Sequence, residues 1–199
     1  SKDNMFIAIE GFTVDGHNFI EQALEKGANC IVIQKDVQLE KEGITLIKVD
    51  DTIEALAQFS SRFYEKPSQE LDLIGITGTN GKTSITYLIK SIFEAENKKT
   101  GIIGTMGSII DNELIVNNNT TPESLTIQKY LREMVDVGTD YCVMEVSSHS
   151  LDMKRVAYMD FQLGVFTNLT EDHLDYHLTM ENYFNSKLKL FNITKKYNV

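Results

Sequence analysis

Short apolar runs rich in β-branched residues alternate with stretches of helical period, the pattern of strand–helix units around a mostly parallel sheet. Residues 5–9, 30–33 and 44–49 read as strands. Between the first two, Phe19, Ala23 and Leu24 recur at helical spacing and Gly27 supplies a C-terminal stop. Asp51 with Glu54 three residues on resembles a capping box, and Ile53, Leu56, Ala57, Phe63 and Tyr64 continue an apolar stripe. The polar stretch 65–70, with one of only two prolines, then separates this unit from a new strand at 71–77. The pattern predicts an α/β protein of two domains, 1–67 and 68–199.

In the second domain a helix is expected from 83 to 95, with Ile85, Leu88, Ile89, Ile92 and Phe93 on one apolar face. A Gly-rich strand or turn follows at 101–107. Thr121-Pro122 reads as N-cap and first residue of a helix reaching Val137, with Gly138 as its stop. Strands at 141–146 and 161–167 and a helix at 180–191 complete the pattern.

Composition narrows the function classes. Nineteen Lys+Arg against twenty-nine Asp+Glu give a net charge of −10, which argues against broad electrostatic capture of nucleic acid or an anionic membrane. Any anionic substrate must be held by local groups. The apolar runs fall far short of the roughly 20 residues of a membrane helix. The chain opens on no signal-type segment, and its two cysteines, Cys30 and Cys142, form no disulfide or metal framework, so a cytoplasmic protein is expected.

Gly78-Thr79-Asn80-Gly81-Lys82-Thr83 lies between an expected strand and an expected helix, the context a phosphate-binding loop requires. Small residues let backbone N–H groups wrap a phosphate, Lys82 neutralises it, and Thr83 would ligate Mg²⁺. Ile76 stands where the general P-loop pattern has its first glycine, so the match is to a tighter variant. Glu145 ends an apolar strand, where ligands of open α/β sheets collect, and suits the same metal. Asp172-His173-Leu174-Asp175-Tyr176-His177 follows the next strand; such a cluster reads equally as a chemical site and as capping and solvated groups. Lys187 falls on the apolar stripe of its helix with Tyr183, Leu190 and Phe191. A lysine there either snorkels to solvent or stays inside with a depressed pKa and a reactive amine, open to covalent modification.

These blocks, in this order, resemble the Mur ligases, most closely their MurE type. The resemblance rests on Gly78 to Thr83, on Thr120-Thr121-Pro122, on Met144-Glu145-Val146-Ser147-Ser148-His149 with Arg155 beyond, on Phe166-Thr167-Asn168-Leu169 running into the His173 segment, and on Lys187. Gly11-Phe12-Thr13-Val14-Asp15-Gly16-His17 resembles part of the family's uridine-nucleotide domain. The fold implied is a small uridine-nucleotide domain followed by an incomplete P-loop, mostly parallel sheet domain flanked by helices.

The activity implied is ATP-dependent amide ligation. The carboxylate of UDP-MurNAc-L-Ala-D-Glu is activated as an acyl phosphate, then attacked by the amine of a diamino acid, a step in peptidoglycan precursor synthesis. The resemblance implies ATP and Mg²⁺ as cofactors. It puts Lys82 on the β- and γ-phosphates, Thr83 and Glu145 on one Mg²⁺, and His173 on a second. Lys187 matches a lysine that becomes carbamylated, while Asn80, Thr120, Thr121, Ser147 and Arg155 match positions that hold the muramoyl dipeptide nucleotide. Met153 departs from a glutamine common among relatives, and the family's upstream Asp-Ser-Arg segment is absent. The last residues, 195–199, resemble entry into another strand. The chain is therefore expected to be a ligase fragment, inactive alone, without the C-terminal domain that receives the diamino acid. Meso-diaminopimelate and L-lysine stay equally open. The competing readings are another ligase of the superfamily and a nucleotide-binding regulatory module without ligase chemistry.

Overall fold

The computed structural model describes residues 4–11, 13–39 and 41–198, the last three by backbone alone. Phe12 and residue 199, which fall within segments discussed above, lie outside the described residues.

The chain divides into two compact units, Ser1–Leu56 and Ala57–Val199. In the first, β1 (Asn4–Ile7), β2 (Ala28–Ile33) and β3 (Thr45–Lys48) form a parallel sheet in that order, with Met5 opposite Cys30 and Ile31 opposite Leu46. Helix α1 (Ile20–Glu25) closes the core with Ile20 and Leu24 against Ala8, Ile31 and Ile33. Full burial of each such aliphatic side chain is worth about 1.5–3 kcal/mol.

A 3₁₀ turn at Gly16–Phe19 precedes α1 and is capped by Asp15, which accepts from the His17 N–H at 3.0 Å. His17 Nε2 accepts the Gln34 N–H at 3.2 Å, so the ring proton sits on Nδ1, 2.6 Å from the Asp15 carboxylate. Helix α2 (Thr52–Phe63) starts as expected, with Asp51 accepting the N–H groups of Ile53 (2.8 Å) and Glu54 (3.0 Å).

The two compact units divide inside α2, between Leu56 and Ala57. Ser60 and Ser61 are buried, and Ser61 donates to the Tyr158 carbonyl at 3.2 Å, which attaches the helix end to the second unit. The polar stretch 65–70 is also packed: Pro67 and Ser68 are buried in a 3₁₀ turn, and Ser68 Oγ accepts the Asp160 N–H at 3.1 Å.

The second unit is a seven-stranded sheet. Its strands are β4 (Asp72–Thr77), β5 (Thr100–Gly104), β6 (Gly107–Ile110), β7 (Glu113–Ile115), β8 (Tyr141–Glu145), β9 (Phe161–Phe166) and β10 (Thr194–Asn198). The order is β10-β9-β4-β8-β5-β6-β7, parallel from β10 to β5 and antiparallel beyond. Ile76 pairs with both Glu145 and Val165, so the carboxyl ends of β4, β8 and β9 lie side by side.

Helix α3 (Lys82–Ala95) covers one face, with Ile85, Ile89 and Phe93 on Ile74, Ile76 and Val143. Leu88 and Ile92, expected on that face, are instead 62% and 63% exposed, because a stripe of three positions already spans the sheet contact. On the other face Ile127, Leu131 and Met134 of α4 (Ser124–Asp136) pack on Leu73, Cys142 and Met144. Helix α4 starts later than expected: Glu123 is its N-cap, and the Thr121 side chain is used elsewhere. Two short helices, α5 (Ser148–Asp152) and α6 (Leu174–His177), precede α7 (Met180–Asn192), which buries Tyr183, Ser186, Lys187 and Leu190.

Candidate functional site

The site begins where β4 ends. Gly78 has φ +135°, and a Cβ there would lie 2.0 Å from Thr167 Oγ1, so only glycine lets the turn lie against the loop after β9. That loop holds the turn in place. The Thr79 N–H donates to the Asn168 carbonyl (2.9 Å), the Asn80 N–H to Asn168 Oδ1 (3.0 Å), and Thr167 Oγ1 to the Asn80 carbonyl (2.7 Å). The Asn80 side chain, expected to hold substrate, donates to Thr170 Oγ1 at 3.2 Å. Gly81, at φ +84°, opens α3 with no side-chain cap, so the first-turn amides and the positive end of the helix dipole face outward. This arrangement can receive an anion.

Lys82 Nζ donates to the carbonyls of Gly78 and Thr79, both at 2.9 Å. Burial lowers its pKa, against the opposing pull of Glu145 and Asp172. Thr83 Oγ1 donates to Glu145 Oε2 at 3.0 Å. Glu145 is 1% exposed and also accepts the Thr105 N–H (3.1 Å) and the Thr105 hydroxyl (3.0 Å). Gly104 leaves space for this, since a Cβ there would sit 2.4 Å from Glu145 Oε1. Thr120 Oγ1 lies 3.0 Å from Thr105 Oγ1, and a cleft of about 330 Å³ opens between the loop at 79–84, Thr105, Thr120 and Glu145.

Among the described residues no group of three or more His, Cys, Asp or Glu side chains is arranged to hold a metal. The donors that do converge, one carboxylate and neighbouring hydroxyls, are all oxygen. That set suits a hard cation completed by waters and ligand oxygens.

Thr121, Ser147 and Arg155 meet one strand along. Thr121 Oγ1 donates to the Glu145 carbonyl (2.9 Å) and accepts the Ser147 N–H (3.1 Å). Ser147 caps α5 by accepting the Ser150 N–H at 3.1 Å. Arg155 donates through one terminal nitrogen to the Thr121 carbonyl (3.0 Å), pairs through the other with Glu123 (2.6 Å), and lies against the Met153 sulfur. Its Nε is buried without a partner among the described residues, an open donor on a cation.

Lys187 stays inside. It is 1% exposed, donates to the Gly78 carbonyl at 2.8 Å, and lies 4.4 Å from the centre of the Tyr183 ring. Burial, then the Lys82 charge, lower its pKa to about 7 against the pull of Asp172. His173 takes a left-handed backbone (φ 53°) and keeps its ring half exposed, edge-on to His149 at 4.9 Å and to Tyr183 at 6.1 Å. Thus Gly78, Thr79, Lys82, Thr83, Glu145 and Lys187 form one cluster, Thr121, Ser147 and Arg155 join it through the end of β8, and His173 borders it through Tyr183. Sequence reasoning missed Thr105 and Tyr183. Thr105 follows a strand at its carboxyl end, the one signal that marks it. Tyr183 reads only as core, yet its hydroxyl lies 3.2 Å from Thr79 Oγ1.

A strand, a glycine turn, an uncapped helix start and a hydroxyl–carboxylate pair on the adjoining strand define a phosphate-binding α/β domain of the P-loop class. Residues 76–199 match the Mur ligase middle domain and residues 1–64 the Mur ligase family, catalytic domain; the chain belongs to the Mur ligase family. It is 51% identical over 197 residues to the UDP-N-acetylmuramoyl-L-alanyl-D-glutamate--2,6-diaminopimelate ligase of Alkaliphilus metalliredigens, covering 99% of this chain and 40% of that protein. The ligase of the same name from Clostridium tetani is 53% identical over 192 residues, covering 96% and 40%. A solved structure of a ligase of that name superposes with TM-score 0.82 at 26% identity, covering 99% of this chain and 40% of that one. The chain spans about 40% of the length of these relatives. No helix among the described residues is long and apolar enough to cross a membrane.

Proposed function

We propose that this chain forms the nucleotide- and muramoyl-binding part of an ATP-dependent ligase that joins 2,6-diaminopimelate to UDP-MurNAc-L-Ala-D-Glu. The observation that carries the reading is the convergence at the end of β4: Lys82 and Lys187 on the Gly78 carbonyl, with Thr83 hydrogen-bonded to Glu145 in the adjoining cleft. The choice of diaminopimelate over L-lysine follows the names of the relatives at 51% and 53% identity.

In this reading the amides at the start of α3 and the Lys82 ammonium hold the nucleotide polyphosphate. Mg²⁺, when bound, neutralises phosphate charge, and Thr83 and Glu145 are the residues that would hold it, with His173 at a second ion. Arg155, held by the Thr121 carbonyl and Glu123, would turn its guanidinium to the substrate carboxylate, and Asn80, Thr120 and Ser147 would contact the muramoyl nucleotide, with Thr121 behind them tying Ser147 to the end of β8. Lys187 is suited to carbamylation, because a neutral amine adds to carbon dioxide, forming an N–C bond and releasing a proton. The carbamate would replace a cation by an anion where a second metal needs one.

The test uses the natural polypeptide that carries this chain. Release of ADP and phosphate is expected only when UDP-MurNAc-L-Ala-D-Glu and 2,6-diaminopimelate are both present. Release independent of both overturns the reading, and equal turnover with L-lysine removes the diaminopimelate assignment.

A further inference from the structure

We propose that Ser148, His177 and Ser186 form a positioning tie that sets Lys187 and the His173 loop in register with the turn at Ser147. The functional consequence rests on the ligase reading above. All three residues are buried, at 1%, 6% and 3% exposure. His177 Nε2 lies 3.0 Å from Ser148 Oγ, and Ser186 Oγ donates to the Ser148 carbonyl at 2.8 Å.

Each member adjoins a site residue. Ser148 follows Ser147, Ser186 precedes Lys187, and His177 ends the short helix that follows His173. The His177 carbonyl reaches forward, accepting from the Thr179 N–H (2.8 Å) and Asn182 Nδ2 (3.0 Å) at the start of α7. His149, next along α5, supports the same loop by ring contacts with His173 and Tyr176. One five-residue helix therefore touches both the loop and α7.

A helix of five residues has too few internal hydrogen bonds to hold its own position. Apolar packing of α5 on α7 would be non-directional and would tolerate sliding. Three buried polar side chains gain little net stability over apolar ones, since each must recover its lost hydration. They do fix direction and distance. An ångström of displacement at a reacting centre costs about 100-fold in rate, so this kind of register has functional value.

The amine of Lys187 can be followed without turnover. In the natural polypeptide, trace acetylation by acetic anhydride across pH, read by peptide mass spectrometry, compares Lys187 with exposed Lys129. His177→Phe keeps ring volume but loses the bond, Ser186→Ala is a milder change, and His177→Gln keeps a nitrogen that can reach Ser148. Lys187 acetylation is expected to rise relative to Lys129 in His177→Phe and Ser186→Ala, with its pH profile moving toward that of a solvated amine. His177→Gln should keep the wild-type profile. In the natural polypeptide the first two variants should lose about tenfold in kcat, the order seen when an outer-shell partner is removed, with KM for ATP nearly unchanged.

An unchanged Lys187 profile in both His177→Phe and Ser186→Ala overturns the tie. So does a rise shared by every lysine, which would mark general loosening. If the profiles move as expected while the natural polypeptide shows no dipeptide-dependent turnover, the tie stands and the ligase reading fails.

Discussion

Lys82 and Lys187 donate to the same acceptor, the Gly78 carbonyl, at 2.9 and 2.8 Å. One lies at the start of α3 and the other on α7, so two helices from distant parts of the chain each bring an amine to the turn that ends β4. A single carbonyl cannot neutralise two ammonium groups, and both pKa values are lowered, with burial the largest cause in each. The arrangement favours either an anion above the loop or loss of a proton from Lys187.

The Lys187 shift gives a pH signature. Its ordinary value of 10.5 falls to about 7 in the folded chain. Between those values the unfolded chain binds the extra proton, so this group's contribution to stability rises as pH climbs through that window and is flat outside it. Lys187→Met removes the titration. The stability of the variant relative to wild type, from urea unfolding, is expected to be highest near pH 7 and to shrink steadily toward pH 10. A difference independent of pH would mean that the folded lysine titrates normally.

Two glycines of one loop should respond differently to the same change. Gly81→Ala meets open space and carries only the left-handed backbone cost, about 1 kcal/mol. Gly78→Ala adds a methyl 2.0 Å from Thr167 Oγ1 at a strained φ, so about 3 kcal/mol or more is expected. Urea midpoints measure both. Equal losses would mean that the loop after β9 yields freely.

The glycine loop and the place of Lys187 on an apolar stripe were legible in the sequence because each is local: a glycine turn between an apolar run and a helical stripe, and a lysine spaced four residues from Tyr183 and Phe191; the spacing left open whether the amine snorkels out or stays inside, which only the packing of α7 decides. The start of α4 was not. Thr121-Pro122 has the chemistry of an N-cap, but Thr121 Oγ1 is taken by the Glu145 carbonyl and the Ser147 N–H, partners 24 and 26 residues away. Tertiary hydrogen bonds of this kind leave no local trace. The same holds for Thr105, which meets Glu145 only because β5 and β8 are neighbours. Strand β7 and helix α6 are three and four residues long, too short to show a period.

The Thr83–Glu145 pair predicts a magnesium-dependent response. Ligand that binds only the folded state stabilises it, by about 2.7 kcal/mol at one hundred times Kd. In the natural polypeptide, Mg·ATP is expected to raise the melting temperature above the value with ATP and chelator. Thr83→Ala and Glu145→Gln should lose that magnesium increment and keep the response to ATP alone. Persistence of the full increment in both variants would move the cation elsewhere.

Thr121 offers the sharpest separation of a hydroxyl from the shape that carries it. Valine has nearly the same outline, yet Thr121→Val would leave the Glu145 carbonyl and the Ser147 N–H without their partner in a site that is 1% exposed. Unsatisfied buried groups cost about 1–3 kcal/mol, so a loss of about 2 kcal/mol is expected on urea unfolding. Thr121→Ser keeps the hydroxyl and removes one methyl, for about 1 kcal/mol. Because Ser147 caps α5 and the Thr121 carbonyl holds Arg155, valine should also raise KM for the muramoyl nucleotide, while serine leaves it near wild type. If valine and serine lose equal stability, packing rather than hydrogen bonding holds the end of β8 to the Ser147 turn.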